Sequence, residues 1–256
     1  TRGLNVKFIS TLRNNPYKRK RVDRLMNDFV ALFSNANFVQ NEMQKNYYCK
    51  LVRNKTFILS NPVDDTFIYN SKEYRGAISR IVAIGRLHRQ KNYDLLVDAV
   101  EIVSKRHTNI KVDIYGEGQE KSRLIALIEE KNLSSIIMLR GQTSDVLKAL
   151  DEADLYVMTS DYEGIPNSLM EAMAYGMPCI STDCPTGPSD LISDGQSGII
   201  VPLRDAEILA EKIIYYIDNP EVAKKHGKYA KETICSLYSP RIIAEKLLLE
   251  FMKIKL

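Results

Sequence analysis

From residue 78 onward, short β-branched runs and amphipathic stretches take turns along the chain, and few folds accommodate that order. I-S-R-I-V-A-I (78–84), I-K-V-D-I-Y (110–115), S-I-I-M-L (135–139), D-L-Y-V-M (154–158), M-P-C-I-S-T (177–182) and G-I-I-V (198–201) read as strands. Between most of them lie helical patterns. Residues 93–105 carry apolar side chains at 95, 96, 99, 100 and 103, and 121–131 and 145–151 follow the same stripe. Strand and helix in alternation predict a parallel sheet with helices on both faces, a doubly wound, Rossmann-like α/β domain.

A shorter alternation precedes it. Strands are expected over 6–11, 37–40 and 56–60, with helices over 22–34 and 42–48. Asn61-Pro62-Val63-Asp64-Asp65 breaks the pattern, and the polar stretch to about residue 78 reads as a linker. The expected organisation is the last portion of one α/β domain (1–70), a complete second one (71–238) and a closing helix (239–256). That helix is apolar at 242, 243, 247, 248, 251 and 254, which marks a packing face. The first residues, T-R-G-L-N-V-K-F-I-S, lack a signal-peptide layout and read as a chain entered part-way through a sheet.

Charge divides unevenly. Residues 1–70 hold 12 Lys/Arg against 5 Asp/Glu, or +7, and the remainder holds 24 against 27, or −3. The excess centres on Y-K-R-K-R-V-D-R (17–24), either a solvated helix start or a patch for an anionic membrane. No aromatic stacking pattern accompanies it, which argues against nucleic acid. No run of 18 apolar residues occurs, so no membrane-spanning segment is expected. The four cysteines lack C-x-x-C spacing and read as free thiols of a cytoplasmic protein, and no metal site is expected.

In open α/β sheets ligands bind beyond the C-terminal strand ends. The loops there read G-R-L-H-R-Q-K-N, G-E-G, R-G-Q and T-S-D-Y-E-G-I-P-N-S, rich in glycine, cations and acids. Arg86 and Lys91, just before a helix start, suit a diphosphate or simply face water. Gly116-Glu117-Gly118 lacks the remaining dinucleotide fingerprint and fits a tight turn or a close backbone approach.

The densest stretch is S-D-Y-E-G-I-P-N-S-L-M-E-A-M-A-Y-G-M (160–177). Ser168-x-x-Glu171 has the spacing of a capping box, so Glu171 has a structural explanation ready. Glu163 has none: it lies outside the helix, after a strand, before Gly164 and Pro166. An acid there can accept hydrogen bonds from sugar hydroxyls while loop and helix-start amides hold phosphate. Glu171 has the chemistry to take a ribose diol.

G-R-L-x-x-Q-K-N, the G-E-G turn, the R-G strand exit, E-G-I-P-N-S-L-M-E-A-M-A-x-G-x-P and D-G-x-S-G-I-I-V-P together resemble family-4 retaining glycosyltransferases of GT-B fold, over about residues 55–215. C-I-S-T-D-C-P-T-G-P-S-D-L-I (179–192) resembles bacterial members that build surface polysaccharides. The resemblance implies that Arg86 and Lys91 bind the donor diphosphate, Glu163 the transferred sugar and Glu171 the ribose. It further implies that Gly116 and the segment 139–141, with Arg140 and Gly141, border the nucleotide. Gly164, Ile165, Pro166, Asn167, Ser168 and Leu169 would line sugar and phosphate. The reaction implied is sugar transfer from a nucleotide-diphosphate sugar, UDP first, to a glycan or lipid-linked acceptor with retention. No Asp-x-Asp motif is present, so the cations would replace a divalent metal, with no cofactor. Family members carry a full N-terminal acceptor domain, of which only the last part precedes the linker here. The closing helix is expected to cross back to residues 1–60. A nucleotide-sugar-binding module without turnover and a nucleotide-sugar epimerase stay open as rivals.

Overall fold

The computed structural model describes residues 7–13, 21–71 and 76–254. The first unit is built on β1 (Ile9–Leu12), α1 (Arg21–Phe33), β2 (Ala36–Val39), α2 (Glu42–Tyr47), α3 (Lys50–Arg53) and β3 (Thr56–Ile58). Its three strands are parallel in the order β1-β2-β3. Leu12, Ala31, Val39, Tyr48 and Val52 close a small core on one face. The edge of α1 formed by Val22, Leu25, Met26, Phe29 and Phe33 is exposed, while Asp28 on another face accepts a hydrogen bond from the Tyr47 hydroxyl (3.1 Å). Residues 17–20, most of the basic cluster, lie outside the described residues.

The expected linker contains a helix, α4 (Asp65–Tyr69). The Asp64 carboxylate caps it by accepting from Thr66 N (2.8 Å), and Phe67 is buried in the core of the second unit. Val63 N donates to Tyr238 O (2.9 Å), so the segment is docked. A five-residue helix has too few periods to show in an apolar pattern.

The second unit runs through β4 (Arg80–Ile84), α5 (Tyr93–Ser104), β5 (Lys111–Tyr115), α6 (Lys121–Glu130), β6 (Ile137–Gly141), α7 (Val146–Asp151), β7 (Leu155–Met158), α8 (Asn167–Tyr175), β8 (Cys179–Thr182), α9 (Pro188–Leu191) and β9 (Ile199–Val201). All six strands are parallel in the order β6-β5-β4-β7-β8-β9, with apolar clusters on both faces. The order reverses between β4 and β7. The loops leaving these two strands therefore diverge over a crevice, the place where such sheets take ligands.

Three helices close the chain: α10 (Ala206–Asp218), α11 (Pro220–Tyr238) and α12 (Pro240–Lys253). Ile243 of α12 is buried in the second core, while Phe251 lies edge-on to Phe38 of β2, ring centroids 6.0 Å apart. The last helix thus bridges the two units. Its Leu248, Leu249 and Met252 are exposed, so the packing face is narrower than its apolar positions suggest.

Candidate active site

The loops after β4 and β7 are laced together. Asp161 N donates to Gln90 O (2.8 Å), Gln90 Nε2 to Tyr162 O (2.7 Å), and Thr159 Oγ1 to Lys91 O (2.9 Å). Asn92, in the left-handed region at φ 45°, turns the first loop into α5, and its Nδ2 donates to Asp161 (3.2 Å). This lacing brings Lys91 Nζ to 2.7 Å from Glu163 Oε1, with the two side chains only 14 % and 10 % exposed. Ser160 Oγ donates to the same carboxylate oxygen (2.7 Å). The Glu163 carbonyl accepts from the Thr186 hydroxyl. Ser160 and Thr186 hold the acid on two sides, and no spacing in the sequence singles them out.

Arg86 is exposed at the loop tip and forms no ion pair among the described residues. Beneath it the strand-end loops are joined by backbone bonds: Gly85 N to Tyr115 O (2.9 Å), Leu87 N to Glu117 O (2.9 Å) and Gly116 N to Gly141 O (2.8 Å). Gly116 has φ 153°, and a Cβ there would lie 1.9 Å from the Gly85 carbonyl oxygen. The G-E-G glycine therefore serves backbone-to-backbone approach, one of the two uses its sequence left open.

Arg140 is ion-paired. Its Nε lies 2.6 Å from Asp113, a buried acid also held by Arg80 at 2.6 Å. Strand β6 runs through Gly141, so 139–141 is the end of a strand rather than a loop.

The capping box is absent. Pro166, extended at φ −78° and ψ 104°, stands at the N-cap without a side-chain bond, and α8 begins at Asn167. Ser168 is already inside the helix, where its hydroxyl accepts from Tyr156 (2.8 Å). Proline at the helix boundary moves the start one residue ahead of the serine. Glu171 is thereby left without its structural explanation. Its side chain makes no hydrogen bond or ion pair among the described residues, and burial, then the nearby Asp64 carboxylate, pushes its pKa up.

The first helical bond of α8 runs from Met170 N to Pro166 O (3.1 Å), so the amides of Asn167, Ser168 and Leu169 lie in its open first turn. Pro166 has no N–H to offer, and the Ile165 and Leu169 side chains are buried in the core. Asn167 Oδ1 accepts from Asn61 Nδ2 (3.0 Å), a bond from the first unit. Gly164 completes the seam: a Cβ on it would lie 3.1 Å from the Arg13 carbonyl oxygen. Among the described residues, no group of three His, Cys, Asp or Glu could hold a metal ion. No described helix is long and apolar enough to cross a membrane.

The two parallel α/β units have the architecture of GT-B glycosyltransferases. The chain belongs to the glycosyl transferases group 1 family, whose pattern matches residues 74–233. It is 35% identical over 190 residues to a poly(ribitol-phosphate) α-N-acetylglucosaminyltransferase of Staphylococcus aureus, covering 74% of this chain and 38% of that protein. It is 30% identical over 168 residues to the amylovoran biosynthesis glycosyltransferase AmsD of Erwinia amylovora, covering 66% of this chain and 46% of AmsD. S. aureus TarM, solved with fondaparinux, α-GlcNAc-glycerol and UDP, superimposes with a TM-score of 0.85 at 30% identity, over 95% of this chain and 50% of TarM. The chain spans half or less of the length of these relatives.

Proposed function

We propose that the protein transfers a hexosyl group from a UDP-sugar to a glycan or lipid-linked acceptor, with retention and without a divalent metal or cofactor. The observation that carries this reading is the Lys91–Glu163 pair at the crevice. In this reading Arg86 and Lys91 take the diphosphate, with the open first turn of α8 adding its amides. Charge that develops on the leaving nucleoside diphosphate is then met by two cations. Glu163 turns from Lys91 toward the sugar hydroxyls, and Glu171 accepts the ribose diol. The backbone near Gly116 and Gly141 borders the base; Arg140, held by Asp113, is left out of the contact set.

The bound UDP of TarM and the named activity of the S. aureus relative make UDP-N-acetylglucosamine the first donor to test. A thermal-shift screen against UDP-, GDP- and ADP-sugars names the donor through stabilisation by mass action. Anomer analysis of the product by NMR then tests retention. Stabilisation by a donor with no UDP release under any acceptor would favour a nucleotide-sugar-binding module instead. We also propose peripheral contact with an anionic membrane at the cytoplasmic face, since the basic run 17–24 leads into the exposed apolar edge of α1. Salt-sensitive sedimentation with phosphatidylglycerol vesicles tests it, and no sedimentation at low salt would refute it.

A further inference from the structure

Two carboxamides at the end of β2 stand at the seam between the units. Gln40 is 3 % exposed and Asn41 5 %, yet among the described residues Gln40 Oε1 and Asn41 Nδ2 have no hydrogen-bond partner. The remaining polar atoms account for their place in the fold. Gln40 N donates to Gln44 Oε1 (2.6 Å), Gln40 O accepts from Ser60 Oγ (3.2 Å), and Asn41 Oδ1 caps α2 by accepting from Gln44 N (3.0 Å). None of this explains the free oxygen of Gln40. Burying an amide oxygen without a donor is unfavourable, and such groups are rare in folded proteins.

What Gln40 faces is set by Gly164. A Cβ built on Gly164 would lie 3.1 Å from Gln40 Oε1. The glutamine therefore lies against the loop that carries Glu163, approaching it from the other unit. Both residues follow the C-terminal ends of parallel strands, β2 and β7, where ligands of α/β sheets gather. A core methionine or leucine would fill the same volume at lower cost, so the polar end calls for a polar partner.

We propose that Gln40 is a sugar-recognition residue, its carboxamide taking a hydroxyl of the transferred sugar opposite Glu163. The proposal rests on the donor-site reading above. A hydroxyl donates as well as accepts, so it satisfies Oε1 directly. The smaller unit thereby reads the sugar and not the nucleotide.

The test compares UDP with UDP-N-acetylglucosamine on the whole protein by titration calorimetry. Gln40→Met keeps the volume and removes the polar atoms; Gln40→Glu keeps an acceptor. Gln40→Met should leave the Kd for UDP within about twofold and raise that for the UDP-sugar about fivefold to tenfold, the range for one neutral hydrogen bond. Gln40→Glu should recover part of the loss. Equal changes for both ligands, or a changed melting temperature with neither Kd altered, would make Gln40 a packing residue and overturn the proposal. A wild type that binds UDP no more weakly than UDP-N-acetylglucosamine, or any other UDP-sugar, would also overturn it. A wild type that binds neither overturns the donor-site reading itself.

Discussion

Lys91 and Glu163 meet at 2.7 Å although 72 residues separate them, because each sits on a loop leaving one of the two strands that flank the reversal of the sheet. Both side chains are close to fully buried. Removing one partner strands a charge away from water, so Lys91→Met or Glu163→Leu should destabilise by on the order of 3–5 kcal/mol. The double variant should cost less than the sum, and denaturant unfolding of the cycle reads the difference.

Arg86 should behave oppositely. It is exposed and forms no ion pair among the described residues, so Arg86→Ala should leave the melting temperature nearly unchanged. Its loss from the diphosphate should weaken UDP binding by about 1.5–3 kcal/mol, or roughly 10- to 150-fold.

Glu171→Gln should separate stability from binding. Burial raises the Glu171 pKa in the folded protein above its unfolded value. The folded state therefore favours the protonated acid, and the cost of ionising it appears as pH rises through the folded pKa. The neutral amide escapes that cost, so Glu171→Gln should melt higher than wild type at pH 7.5. The advantage should vanish below about pH 4, the ordinary carboxylate range. UDP affinity should fall all the same. Calorimetric melting at the two pH values checks the first part and ligand titration the second.

Gly116→Ala should damage the site from below. Its Cβ would collide with the Gly85 carbonyl, at a φ that L-residues rarely adopt. Strain of about 1–3 kcal/mol is expected, lowering the melting temperature by roughly 2–10 °C. Because Gly85 precedes Arg86, UDP affinity should drop too. An unchanged Kd would mean that the two loops move independently.

Much of this was legible in sequence because it rests on period and position. The strands of the second unit and the helices at 93–105 and 121–131 follow from alternation that tertiary packing had no reason to override. The loops bearing Arg86, Lys91 and Glu163 follow from the rule for strand ends. What was not legible depends on contact across the chain. The capping box at Ser168 and Glu171 is a local pattern that Pro166 and the Tyr156 hydroxyl defeat. The pairing of Arg140 with Asp113 runs across neighbouring strands and has no local spacing signal. Ser160, Thr186 and Gln40 carry no spacing signal, and only folding sets them beside the Glu163–Gly164 loop.

In the proposed function the crevice between the β4 and β7 loops binds a nucleoside diphosphate through Arg86. Calorimetric titration of UDP into wild type and Arg86→Ala decides whether it does. Wild type should bind UDP saturably at one site, and the variant should lose at least about tenfold in affinity. Equal affinity in the two proteins, or no binding of UDP to wild type, would contradict it.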